Sequence, residues 1–185
     1  MPQRESSTKA EDLPLVEGFP LTFDSKSGRM FVQGMPVWFM SPFSYVEMQA
    51  QLEDVMGKAA KGVLYRAAEQ AGRRFAETLG AANTAEGDDG THLAVLLRLA
   101  EFLRHVGHGY AELVIVDIGR IETTWTMPQN YISELHAPTN EPVCHFYSGA
   151  IAGAVSAVFG RSVACDEVKC RAKGDPACEF RTRAA

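Results

Sequence analysis

The sequence is short of positive charge, of long apolar runs and of the common catalytic signatures, and each shortage closes off a class of function. Eighteen Lys and Arg face 23 Asp and Glu over 185 residues, a formal charge of −5. That is the wrong sign for a chain whose main work is gripping a phosphate backbone, so direct nucleic-acid contact is not expected. No window sustains the roughly 18 apolar residues of a membrane span. The opening MPQRESSTKAEDLP is polar and has no apolar centre, unlike a targeting leader. The cytoplasm is the expected location. Gly57-Lys58 is followed by Ala59 and lacks the upstream glycine of a phosphate-binding loop. G-x-S-x-G and H-E-x-x-H are absent. Gly107-His108-Gly109 lacks a third glycine and follows a helical pattern, so it does not read as a dinucleotide fingerprint. With no evident nucleophile-and-base pair and no internal repeat, the chain reads as a non-catalytic binding protein.

What is present suits one domain. Hydrophobic residues make up 46% of the chain, enough to bury a substantial core. Residues 1–12 offer no face to bury and read as a disordered tail, leaving a single domain over 13–185. Between Phe19 and Met40, short apolar runs punctuated by Ser27-Gly28 and Gly34 predict strands joined by a turn around Asp24 to Gly28. Pro42 ends that region and Ser44 is a candidate helix cap. Tyr45, Met48, Leu52 and Val55 predict one amphipathic helix. Val63, Leu64, Ala67, Ala71, Phe75 and Leu79 predict the next, with stops at Gly57 and Gly80. After the polar loop NTAEGDDG a third helix runs through Leu93 to Leu103 and closes at Gly107-His108-Gly109. AELVIVDIGRIETTWTM predicts a hairpin whose turn is supplied by Gly119. CHFYSGAIAGAVSAVF, 144–159, predicts an almost wholly apolar helix whose small residues suit close packing against a sheet or a second subunit. A final strand pair surrounds Gly174-Asp175-Pro176.

The chain has only four cysteines, three of them in CDEVKCRAKGDPAC. Nothing marks secretion, and clustered cysteines in a reducing compartment serve as metal ligands or redox groups more often than as disulfides. Cys170 and Cys178 flank a turn that can bring two thiolates face to face, with Cys144 a candidate third ligand. On the cysteines alone, small buried residues of a core fit equally well.

NEPVC at 140–144, the helix YSGAIAGAVSAVFGR and CRAKGDPACEF resemble the vinyl-4-reductase domain family. GRMFVQGMPVWFMSP, LEDVMGKAAKGVLYRAAEQAG and LRHVGHGYAEL extend the likeness over roughly residues 13–182. That family includes the sensor domains of phenol- and xylene-responsive activators, a bacteriochlorophyll-biosynthesis protein and archaeal stand-alone relatives. The resemblance implies an α+β fold, a mixed α/β ligand-binding domain with an antiparallel sheet and packed helices. This is the fold shared by nitric-oxide-signalling and vesicle-tethering proteins. It also implies a homodimer with a buried pocket for a small hydrophobic or aromatic ligand.

In the phenol sensors three cysteines and a glutamate hold zinc. Carried over, the ligands fall on Cys144, Glu167, Cys170 and Cys178, which implies a structural zinc closed to water. In an unbroken strand Glu167 and Cys170 point to opposite faces, so Glu167 requires a bulge; Asp166 is the alternative carboxylate. Arg161, Lys169, Arg171 and Lys173 are candidates to offset the charge of the site. The resemblance further assigns Trp125, His105, His108 and Cys165 to the ligand pocket. The leading functional expectation is a zinc-stapled sensory domain signalling through a dimer surface. The alternatives are a tetrapyrrole carrier or reductase-associated protein in bacteriochlorophyll biosynthesis, and an interaction module with a vestigial pocket.

Overall fold

The computed structural model describes residues 21–32, 34–81, 84, 86–105 and 107–185, except for the side chain of His105. The expected tail over 1–12 and the start of the domain near Leu13 lie outside the described residues. The chain divides into two compact units at Val37.

In the first unit, β1 (Leu21–Asp24), β2 (Arg29–Val32) and β3 (Met35–Val37) form an antiparallel meander. Its first turn falls at the expected place. The Asp24 carboxylate accepts from the Lys26 amide and the Ser27 hydroxyl, and Gly28 takes the positive φ of 67° that closes the turn.

The second unit begins with α1 (Pro42–Met56), α2 (Ala59–Thr78) and α3 (Asp89–His105). Then come β4 (Tyr110–Asp117), β5 (Glu122–Gln129), α4 (Tyr131–Leu135), α5 (His145–Phe159), β6 (Val163–Lys169) and β7 (Cys178–Ala184). A 3₁₀ turn, Arg171–Lys173, sits in the last connection. The four strands form one antiparallel sheet in the order β4-β5-β7-β6. Helix α1 starts earlier than Ser44 suggests: Ser41 is the N-cap position and Pro42 the first helical residue, where the missing proline N–H costs nothing.

The buried stripe of α2 is Ala60, Leu64, Ala68, Gly72 and Ala76. Of the expected face Leu64 joins it, Leu79 just past the helix is also buried and Phe75 is half-buried, whereas Val63, Ala67 and Ala71 are exposed. The reason is α5, which lies between α2 and the sheet and is apolar all round. A Cβ on Gly72 would sit 2.1 Å from the Ala150 carbonyl oxygen, one on Gly149 2.1 Å from that of Tyr65, and one on Gly153 1.9 Å from that of Glu69. The two backbones touch, so small size selects the buried face of α2. The small residues of α5 therefore serve a helix–helix contact within the chain.

The β4–β5 hairpin is as expected, but its turn residue is not. Gly119 keeps ordinary φ, whereas Ile121 is at φ 58°. That conformation costs a branched residue about 1–2 kcal/mol; Ile121 is 5% exposed, within the core cluster, and its burial offsets the strain.

Candidate metal centre and apolar cavity

Four side chains from different elements converge where the last hairpin meets α5. Cys144 occupies the N-cap position of α5, Cys170 that of the 3₁₀ turn, and Cys178 opens β7. Glu167 comes from β6, whose pairing with β7 shifts between Glu167 and Lys169. This bulge breaks the alternation that would otherwise separate Glu167 from Cys170. Asp166, one residue earlier, is exposed and pairs with Arg183 at 3.4 Å, outside the cluster.

The ligand atoms of Cys144, Glu167, Cys170 and Cys178 all lie within 4.8 Å of one another. The sulfurs of Cys144 and Cys178 are 3.9 Å apart. A tetrahedral ion with metal–sulfur bonds of about 2.3 Å needs ligand atoms about 3.8 Å apart, whereas a disulfide needs about 2.0 Å, and all four cysteines of the chain are free.

The electrostatics suit a cation. Hydrogen bonds from the Cys144 and Cys170 thiols bring Cys178 down to about 4. Contacts with Cys170 and then Cys178, with burial, push the Cys144 thiol up. Burial, then the Cys170 contact, pushes Glu167 up to about 8. A divalent ion favours the ionised form of each ligand in such a cluster. Glu167 Oε2 accepts from the Cys144 amide at 2.8 Å, while its buried Oε1 has no partner among the described residues. That oxygen is available to an ion, so the residues present fit one.

Asn130 supports the cluster. Its Nδ2 donates to Cys178 Sγ at 3.1 Å, and its Oδ1 accepts from the Ser133 amide to cap α4 and faces Cys144 Sγ at 3.7 Å. The Arg171 amide also donates to Cys178 Sγ, at 3.4 Å. The expected charge compensation by side chains does not occur at Lys169 and Arg171. Lys169 pairs with Glu179 at 2.8 Å, and Arg171 binds Glu134 and the Pro128 carbonyl, each at 2.6 Å. Backbone donors and Asn130 take that role.

Beside α5 lies an apolar cavity of about 150 Å³. Phe75 of α2, Phe102 of α3, Trp125 and Met127 of β5, and Tyr147 and Ile151 of α5 contribute its walls, with His108 from the α3–β4 loop. Trp125 presents its ring, since its indole N–H is held by Thr123 Oγ1 at 2.7 Å. The Tyr147 hydroxyl donates to the His108 carbonyl at 2.7 Å, and burial holds the His108 ring below the ordinary histidine range. His105 ends α3, but its side chain lies outside the described residues. Cys165 is buried in β6, its amide donating to Tyr65 Oη at 3.0 Å. It is not among the residues lining this cavity.

Residues 133–184 match the V4R domain. The V4R match contains all four clustered ligand residues, while Trp125 and His108 precede it. It is shorter than the likeness seen along the sequence. Over 41 residues the chain is 49% identical to an uncharacterised protein of Methanocaldococcus jannaschii, a match covering 22% of this chain and 23% of that protein. The chain thus aligns with about a quarter of that relative's length.

Three solved structures share the fold. The phenol-responsive sensory domain of the transcription activator PoxR, bound to phenol, is similar over 89% of this chain and 85% of that one, with TM-score 0.77 and 20% identity. A trafficking protein particle complex subunit 3 from Naegleria fowleri, covalently bound to palmitic acid, is similar over 78% and 92%, with TM-score 0.60 and 16% identity. A vinyl-4-reductase family protein of M. jannaschii is similar over 80% and 84%, with TM-score 0.51 and 19% identity. The chain therefore has the mixed α/β arrangement of antiparallel sheet and packed helices seen in these three structures.

Two groups escaped the sequence reading. Asn130 gave only the weak signal of an Asn at a helix start. Phe146 and Tyr147 lie two and three residues after Cys144 on α5, and they looked like ordinary core aromatics until the fold set them against the cavity.

Proposed function

We propose that this chain is a ligand-binding sensory domain that holds a small monocyclic aromatic molecule in the α5 cavity. The observation that carries this reading is the cavity itself: about 150 Å³, the size at which an apolar cavity takes up benzene, with the half-buried, neutral imidazole of His108 in its wall. His108 orients a ligand hydroxyl, and Trp125 supplies an aromatic face. The cavity volume suits one ring better than a tetrapyrrole macrocycle, which supports this reading over pigment carriage. The domain is read as non-catalytic.

The cluster of Cys144, Glu167, Cys170 and Cys178 is proposed to hold structural zinc. Three thiolates and a carboxylate in tetrahedral reach suit that ion, and four protein ligands leave no open position. A homodimer is part of the same reading. The exposed Val114 and Ile115 of β4, an edge strand of the sheet, support it; sedimentation should show Ile115→Lys shifting from dimer to monomer.

Calorimetric titration tests the central proposal. Phenol should bind one to one, benzene more weakly, and His108→Leu should remove the difference between them. A protein silent to both but binding protoporphyrin would sink it.

A further inference from the structure

The α5 cavity has a neighbour. On the other side of the first turn of α5 runs a groove of about 450 Å³, walled by Trp38, Met48 of α1, Leu64 of α2 and Tyr131 of α4. His108, Phe146 and Tyr147 stand in the walls of both spaces, so no more than one layer of side chains separates them. Outwardly the groove is flanked by exposed apolar groups: Trp38 and Phe39 are each 76% exposed and Met48 43%. A contiguous apolar surface of this kind on a soluble-type charged chain marks a binding function. Inwardly its walls include Ile132 and Tyr147, which are buried. It is therefore a slot reaching to the core, shaped for a flexible chain of carbons more than for the flat or convex face of another protein.

We propose that cavity and groove form one elongated site, whose ligand class is a monocyclic aromatic carrying an apolar substituent: ring inside, substituent in the groove. The inference rests on the aromatic-binding reading of the cavity and extends it. One ring fills about 150 Å³, so a substituent of several carbons cannot be enclosed there. The partition shared by the two spaces is its shortest way to further apolar surface. Phe146 is the part of that partition through which the substituent would pass: it is half-buried, its ring edge-on to Tyr45 at 5.3 Å and facing His108 at 6.4 Å.

The test is calorimetric titration of the metal-loaded chain with phenol, 4-ethylphenol, 4-butylphenol and 4-hexylphenol. Affinity should rise roughly two- to fourfold per methylene once the chain enters the groove. Met48→Glu should leave phenol binding unchanged and weaken 4-hexylphenol at least tenfold. If phenol binds but affinity is flat or falls with chain length, the elongated site is wrong while the aromatic-binding reading stands. If Met48→Glu instead turns a dimer into a monomer by sedimentation and the series stays flat, the groove belongs to a second copy and the proposal falls. Failure of every phenol to bind removes both.

Discussion

Asn130 shows how one uncharged side chain can set the state of a charged cluster. Its amide N–H group steadies Cys178 and its carbonyl oxygen caps α4, so ligand geometry and helix start are fixed together. Partners of this kind typically change metal affinity by about 10–100-fold. Asn130→Ala should therefore weaken zinc binding at least tenfold in chelator competition, with the chain still folded at saturating metal. His108 gives a residue-scale prediction with a defined sign. Burial lowers its proton affinity in the folded chain, whereas the unfolded chain gains that proton as pH falls through about 6.5. Its neutral burial therefore costs no stability above that pH and costs progressively more below it. Denaturant unfolding at pH 7 and pH 5.5 should show a smaller acid loss in His108→Gln than in the wild type.

Among the elements, the α2–α5 pair is the most sharply determined. Gly72, Gly149 and Gly153 let two backbones meet where any side chain would collide with a carbonyl. Gly153→Ala places a methyl carbon 1.9 Å from the Glu69 carbonyl oxygen, and the helices must move apart. Overpacking of this type costs about 1–3 kcal/mol, which urea unfolding should register with zinc content unchanged. The bulge in β6 is the second determining feature. It turns Glu167 inward beside the cysteines while Asp166 faces Arg183 and solvent, so replacing Asp166 with Asn should leave metal content intact and replacing Glu167 with Gln should not.

Taken as a whole, the second unit places the cysteine cluster and the cavity at one helix start. Cys144 caps α5, and Phe146 and Tyr147, two and three residues on, wall the cavity. Removing metal should therefore lower both the melting temperature and the affinity for phenol, and Cys178→Ser should reproduce both effects. An apo protein that binds phenol as tightly as the loaded one would show the sites to be independent.

Much of this was legible along the chain. Local rules placed the Asp24–Gly28 turn, the helices ending at Gly57 and beside Gly80, the hairpin after Gly109 and the apolar α5, because capping, turn chemistry and apolar period act over a few residues. The set Cys144, Glu167, Cys170 and Cys178 was implied by the family resemblance, while its gathering within 4.8 Å needed the fold to bring Cys144 to the last hairpin. Three things were decided only by tertiary structure: which stripe of α2 is buried, that Ile121 rather than Gly119 takes the strained turn conformation, and that Asn130, Phe146 and Tyr147 meet at the sites. Each depends on contacts between segments tens of residues apart, where backbone approach and burial outweigh the local preference that a sequence displays.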